Sequence, residues 1–206
     1  MMNANSLSRR FFFPAALAAF AALASLLLAP APRAQESAVL LDRGQAKIEF
    51  ALGSTLHTVH GTFALKNSTL RFDPASGKIS GSVVVDATTG ESGNNGRDSR
   101  MHREILESMK FPEIVFTPEQ VTGTVAAQGT SKVEVSGRFR LHGSEHEVKL
   151  PVEITADGKT LQLAIHFEIP YVKWGLKNPS TFLLHASDTV EVEVHASGRM
   201  DGAAGQ

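Results

Sequence analysis

From Lys47 onward apolar and polar residues alternate one for one, and this period of two decides what the chain can fold into. In KVEVSGRFRL, Val133, Val135, Phe139 and Leu141 fall on odd positions, with Lys132, Glu134, Ser136, Arg138 and Arg140 between them on even ones. Successive side chains of a strand point to opposite faces, so this is a half-buried strand. The same period runs through KIEFAL, TLRFD, KISGSVVVDA and TVEVEVHASG, where Val190, Val192, Val194 and Ala196 alternate with Glu191, Glu193 and His195. About eight antiparallel strands are too many for an open sheet with one wet face, because such a sheet leaves two unpaired edges. The expectation is all-β, as a closed barrel or a sandwich.

Turn residues set an expected register. With Gly143-Ser144 as a two-residue hairpin turn, Leu141 faces His146, Phe139 faces Val148, Val135 faces Val152 and Val133 faces Ile154. With a second turn at Asp157-Gly158, Ile154 faces Leu161, Val152 faces Leu163, Leu150 faces Ile165 and Val148 faces Phe167. Three strands then share one apolar face, which a one-residue slip in either hairpin would destroy.

One segment breaks the period. Met101, Ile105 and Met109 recur four apart, which predicts a short helix near 98–109 with Asp98 or Ser99 as its N-cap. Pro112 stops it, FPEIVFTP resumes as a strand, and KNPST at 177–181 reads as a loop.

The first 34 residues belong to a different order. Arg9 and Arg10 precede an apolar run from Phe11 to Leu28 that is interrupted only by Pro14 and Ser25; APAPRA follows, and no acidic residue occurs. This is the layout of an export signal, so residues 1–34 are expected to be a signal peptide, 35–206 the domain, and the location periplasmic, in a Gram-negative bacterium. SRRFFF also has the form of a twin-arginine signal, and a membrane anchor is the alternative reading of the run. Without residues 1–34 the chain carries 17 basic and 21 acidic residues, a balance that does not point to nucleic acid. The absence of cysteine excludes disulfides, thiolate metal ligands and a lipidated cysteine.

The histidines tempt toward a metal site. In LHTVHGTF, however, Val59, Phe63 and Leu65 are odd-numbered and apolar, so a strand would send His57 inward and His60 outward. His142 and His146 separate in the same way across their hairpin, and His102, His166, His185 and His195 lack a helical His-Glu-x-x-His context. No metal is expected. Nor does the chain carry a G-x-S-x-G elbow, a phosphate loop or a dinucleotide fingerprint. Ser187, His185 and Asp188 could make a hydrolase only if near-adjacent side chains on one strand converged, which they do not. No catalytic residue is assigned.

Three stretches together, HTVHGTF, GRDSRMHREILESMKFPEIVF and GRFRLHGSEHEVKLPV, resemble the YceI-like family of exported lipid- and polyisoprenoid-binding proteins, over about Leu41 to Arg199. The family's Arg-Asp-x-x-Met, helix and aromatic-Pro-x-Ile-x-Phe pattern is matched by Arg97, Asp98, Met101, Phe111, Pro112, Ile114 and Phe116. Its Thr-Val-x-Gly-x-Phe strand is matched by Thr58, Val59, Gly61 and Phe63, with Thr62 at the variable position. The loop ALGSTLH lacks a Lys-His pair that many relatives place there, so no role of that pair transfers. YVKWGLKNPSTFLL, with the single tryptophan Trp174, looks like a subgroup feature.

The resemblance implies an extended, lipocalin-like antiparallel β-barrel holding an isoprenoid, quinone-like or other lipid chain, with no further cofactor. Candidates to line its pore are Phe50 and Leu52, Val59 and Phe63, Val83 and Val85, and Phe139 and Leu141. Val148, Leu150 and Val152 continue the list, with Leu163, Ile165, Phe167 and Val192. Candidates at the pore mouth are His57, Arg97, Asp98, Met101, His102 and Trp174. Gly61, Gly81 and Gly137 among the inward columns fit either a narrow tunnel or a filled core with bulges. A filled core would make the protein an interaction module for a membrane redox protein instead. Monomer and homodimer are both open.

Overall fold

The alternation becomes nine antiparallel strands: β1 Ser37–Leu41, β2 Lys47–Leu52, β3 Val59–Phe72, β4 Ile79–Glu91, β5 Glu113–Thr122, β6 Gln128–Leu141, β7 Ser144–Asp157, β8 Thr160–Ile169 and β9 Val190–Asp201. This computed structural model describes residues 36–202, so the expected signal segment and its cleavage point lie outside the described residues. Strands β2 to β9 hydrogen-bond in a closed ring of order β3-β2-β9-β8-β7-β6-β5-β4, with β4 returning to β3. Strand β1 continues the position of β2: Val39 pairs with Leu70 of β3 and Met200 of β9, as Ile48 pairs with Phe63 and Val194. Between them Arg43–Gln45 forms a 3-10 turn, capped by Asp42, whose carboxylate accepts from the Gly44 N–H at 2.8 Å. One interrupted strand thus fills the whole gap between β3 and β9, and the ring has no free edge.

Both hairpin turns sit one residue from their expected places. Leu141 pairs with Ser144, so the first turn is His142-Gly143, with φ of 50° and 80°. Two successive left-handed residues make a turn that twists in the sense of the flanking strands. Asp157 pairs with Thr160, so the second turn is Gly158-Lys159, with Gly158 at φ 60°. Every cross-strand partner therefore moves by two. Phe139 faces His146, Val135 faces Leu150, Val133 faces Val152, Val152 faces Ile165 and Ile154 faces Leu163. A shift of two keeps each side chain on its face, so the shared apolar face survives the wrong partner assignment.

In β6 the pattern is strict: Val133, Val135, Phe139 and Leu141 are buried while Lys132, Glu134, Arg138 and Arg140 are exposed. In β3 it changes phase. The register slips between Leu65 and Asn67, so Leu65 is buried on the odd phase and Leu70 and Phe72 on the even one. A bulge inserts one extra residue and re-aims everything beyond it.

The helix is shorter and begins earlier than the spacing predicts. Helix α1 spans Asn95–Arg100, and a π turn over Met101–Ile105 follows. Its N-cap is Asn94, whose side chain accepts from the Arg97 N–H at 3.0 Å, not Asp98 or Ser99. Met109 lies beyond the helix and is almost fully exposed, so only Met101 and Ile105 of the expected stripe face inward.

Candidate functional site

The barrel is too wide for its inward side chains to meet at the axis. A cavity of about 660 Å³ runs its length, from Val39, Val125 and Met200 at one end to His57, Tyr171 and Leu184 at the other. Its wall is almost wholly aliphatic and aromatic. Phe50, Leu52, Val59, Phe63, Val83, Val85, Phe139, Leu141, Leu150 and Val152 line it, as do Leu163, Ile165, Phe167 and Val192. Val148 does not; it packs within the wall, against the apolar cluster around Phe139 and Tyr171.

The inward glycines do not create this space. A Cβ on Gly61 would lie 2.4 Å from the Phe50 ring and 2.3 Å from the Glu91 carbonyl, and one on Gly137 would lie 2.4 Å from the Thr117 carbonyl. At Gly81, with φ 104°, it would meet the Thr69 carbonyl at 1.8 Å. Each glycine lets a ring or a backbone approach closely, and the cavity is left by barrel width.

At the mouth the expected residues divide. Arg97 and Met101 reach the cavity. So does His57, although it precedes β3 and is exposed rather than pointing inward from a strand, its backbone N–H and carbonyl both bonded to the Ser54 hydroxyl. Asp98, His102 and Trp174 do not line it, and each has another task. Arg97 donates from Nε to Ser92 Oγ at 2.7 Å and from Nη2 to the Ser92 carbonyl at 2.8 Å, while Asp98 accepts from the Ser92 N–H at 3.0 Å and from its hydroxyl. Burial pushes the Asp98 carboxyl up, but the Ser92 hydrogen bonds and the Arg97 charge outweigh it and hold the carboxyl below its ordinary range. The Arg97-Asp98 pair thereby clamps the link between β4 and α1.

His102 is spoken for at both nitrogens. Nε2 lies 2.8 Å from the Gly90 carbonyl and therefore donates, leaving Nδ1 to accept from the Ser108 hydroxyl at 2.9 Å. Trp174 stacks on His146, centroids 4.1 Å apart and planes within 3°, and leans on Phe139 at 5.7 Å. It is a cover over the barrel end.

Apart from Trp174, the segment of residues 170–189 was not expected at the site. Tyr171, Leu176, Pro179, Thr181, Leu184 and Ala186 fold over the barrel end and line the cavity. Tyr171 anchors them: its ring is buried and its hydroxyl donates to the Ser187 carbonyl at 2.6 Å. Burial, with Asp188 nearby, pushes its phenol up to about 12. Asn178 ties the segment again, donating to Asp188 Oδ1 at 2.7 Å and to the Ala186 carbonyl at 3.2 Å. The hydrolase constellation dissolves here, since the Asp188 carboxylate serves Asn178 and the Ser187 hydroxyl lies 3.3 Å from Thr189 Oγ1. The signal for a lid was the apolar content of YVKWGLKNPSTFLL, which a loop has no reason to carry unless it covers something. Arg100, Leu106 and Ser54 also reach the cavity and were not foreseen.

Among the described residues no three His, Asp or Glu side chains are placed to hold a metal. No helix among them is long and apolar enough to cross a membrane. The site can enclose apolar matter and exclude water; its chemistry is that of a solvent.

Known proteins share this architecture. BcnA of Burkholderia cenocepacia superposes with a TM-score of 0.63 at 16% identity, over 76% of this chain and 98% of its own. A polyisoprenoid-binding domain from Saccharophagus degradans gives 0.61 at 16% identity, over 81% and 99%. The Campylobacter jejuni YCEI protein gives 0.50 at 18% identity, over 69% and 85%. A search of curated proteins found no match. The YceI-like domain profile matches residues 40–197, which is most of the chain and nearly all of the barrel. The chain belongs to the YceI-like domain family.

Proposed function

We propose that this protein is a periplasmic carrier or store for a long isoprenoid, quinone-like or other lipid chain, held in the barrel. The observation that carries the reading is the apolar cavity of about 660 Å³ running the length of the barrel. Sites that enclose small ligands span about 300–1,000 Å³. Burying each methylene gains about 0.8 kcal/mol, so ten carbons in this wall give about 8 kcal/mol before the entropy of holding the chain is subtracted. Such binding needs no catalytic group, and the protein is read as a binding protein, not an enzyme. The description of the Saccharophagus degradans domain as polyisoprenoid-binding supports the same class of cargo. Residues 1–34, read as an export signal, support the location.

The other reading, an interaction module for a membrane redox protein, starts from a barrel filled by its own side chains, and the cavity speaks against that premise. Native mass spectrometry of the protein as purified, before and after organic extraction, tests the carrier. The expected result is a discrete added mass that extracts as an isoprenoid or acyl lipid. A bare protein mass, unchanged after incubation with quinones and polyprenyl lipids, would overturn the proposal.

A further inference from the structure

Large apolar side chains cluster, exposed, at the barrel end where the lid lies. Phe182 is 96% exposed, Leu183 81% and Leu56 72%. Phe182 and Leu183 hold the two corners of a turn in which the Thr181 N–H donates to the Leu184 carbonyl at 2.8 Å. The loop bearing Leu56 is stitched alongside: the Thr55 N–H donates to the His185 carbonyl at 2.9 Å, and Ser54 bridges to Ala186. Ser54, Thr181, Leu184 and Ala186 of these same two loops line the cavity, so the prongs form the outer lip of its mouth.

Single exposed apolar residues are ordinary on a protein surface; three on two joined loops are not. We propose that this lip docks on an anionic phospholipid membrane, inserting Phe182, Leu183 and Leu56 among the headgroups with the mouth turned toward the bilayer. Three features fit that partner. The backbone donors that flank the prongs, those of Thr181, Leu184, His185, Ala186 and Ser187, are satisfied within the loops, so they need no water where the lip meets the headgroups. Residues 170–189 carry Lys173 and Lys177 against Asp188, one net positive charge in the lid itself. The apolar lip is continuous with the apolar cavity, so a chain passing between protein and bilayer would stay out of water. Only this third feature rests on the carrier reading.

The test is sedimentation of the purified protein with vesicles of phosphatidylethanolamine and phosphatidylglycerol. The double substitution Phe182→Ser, Leu183→Ser is expected to lower partitioning at least about tenfold, since each side chain forfeits burial of its apolar surface. Both positions are exposed, so melting temperature and cargo mass should not change. The chain has no cysteine, so Leu183→Cys accepts a single environment-sensitive dye, expected to shift to the blue on vesicles and less so on pure phosphatidylcholine. Equal partitioning of wild type and the double variant would overturn the proposal, as would a dye that reports water in both states. So would a wild-type dimer that the double variant turns into a monomer, because the prongs would then serve a second copy. Absent cargo with vesicle binding intact would sink the carrier reading alone.

Discussion

Gly61→Ala is the sharpest single test of how the barrel wall is built. The added Cβ would lie 2.4 Å from two atoms of the Phe50 ring and 2.3 Å from the Glu91 carbonyl. The ring can yield only by turning into the cavity it lines, whereas the carbonyl belongs to the Thr62–Glu91 pairing that closes β3 on β4. Overpacking of this kind costs about 1–3 kcal/mol. For a domain of this size that lowers the melting temperature by about 2–12 °C. Phe50→Leu in the same chain removes the ring contact and leaves the carbonyl, so the double variant should recover part of the loss, with a coupling of about 0.5–3 kcal/mol. Thermal unfolding of the four proteins, followed by circular dichroism, measures both quantities. A Gly61→Ala protein melting with the wild type would refute the close approach, and full additivity would refute the role of the ring.

Leu163→Trp puts a larger ring where a cargo chain would lie, displacing roughly three methylenes, so lipid retention should fall by about 2 kcal/mol, or some thirtyfold. Displacement titration with an isoprenoid quinone reads this, and an undiminished affinity would place the cargo elsewhere. Arg97→Ala breaks both bonds to Ser92 and should lower the melting temperature by about 2–4 °C, with lipid content by mass spectrometry unchanged; lost lipid at unchanged stability would show instead that Arg97 holds the lipid at the pore mouth. Asp98, held below its ordinary range, contributes stability that is present at neutral pH and lost as pH falls through its folded value. Asp98→Asn should therefore lower stability at neutral pH and narrow its gap to wild type in acid, as pH-dependent melting would show. Tyr171 is the single tyrosine, so ultraviolet titration sees it alone, and it should ionise near 12 rather than 10. Its stabilising effect is whole below about pH 10 and is lost as pH rises toward 12. Tyr171→Phe should loosen the lid by about 1 kcal/mol and leave no such titration.

The period of two by itself determined the fold class, because an alternating face has to be buried and a run of such strands has to close. It also determined which side chains face inward, since parity survives an error of two: both turns were misplaced, yet Phe139, Leu150 and Ile165 still point to the cavity. What parity cannot carry is anything local geometry decides. The left-handed backbone at His142 chose the turn, the slip at Lys66-Asn67 re-aimed β3, and Asn94 rather than Asp98 capped the helix. Whether the barrel is hollow was equally closed to the sequence, since Gly61 next to Phe50 is compatible with a void or with a ring lying on a backbone. Only the tertiary structure settled that, because empty volume is set by how far apart the walls stand. The same holds for the lid. Residues 170–189 have no period to read, and their place comes from contacts made at a distance, Tyr171 to Ser187 and Thr55 to His185. Periodic segments declare themselves in sequence through their own repeating geometry, whereas a loop takes its position from the surface it covers.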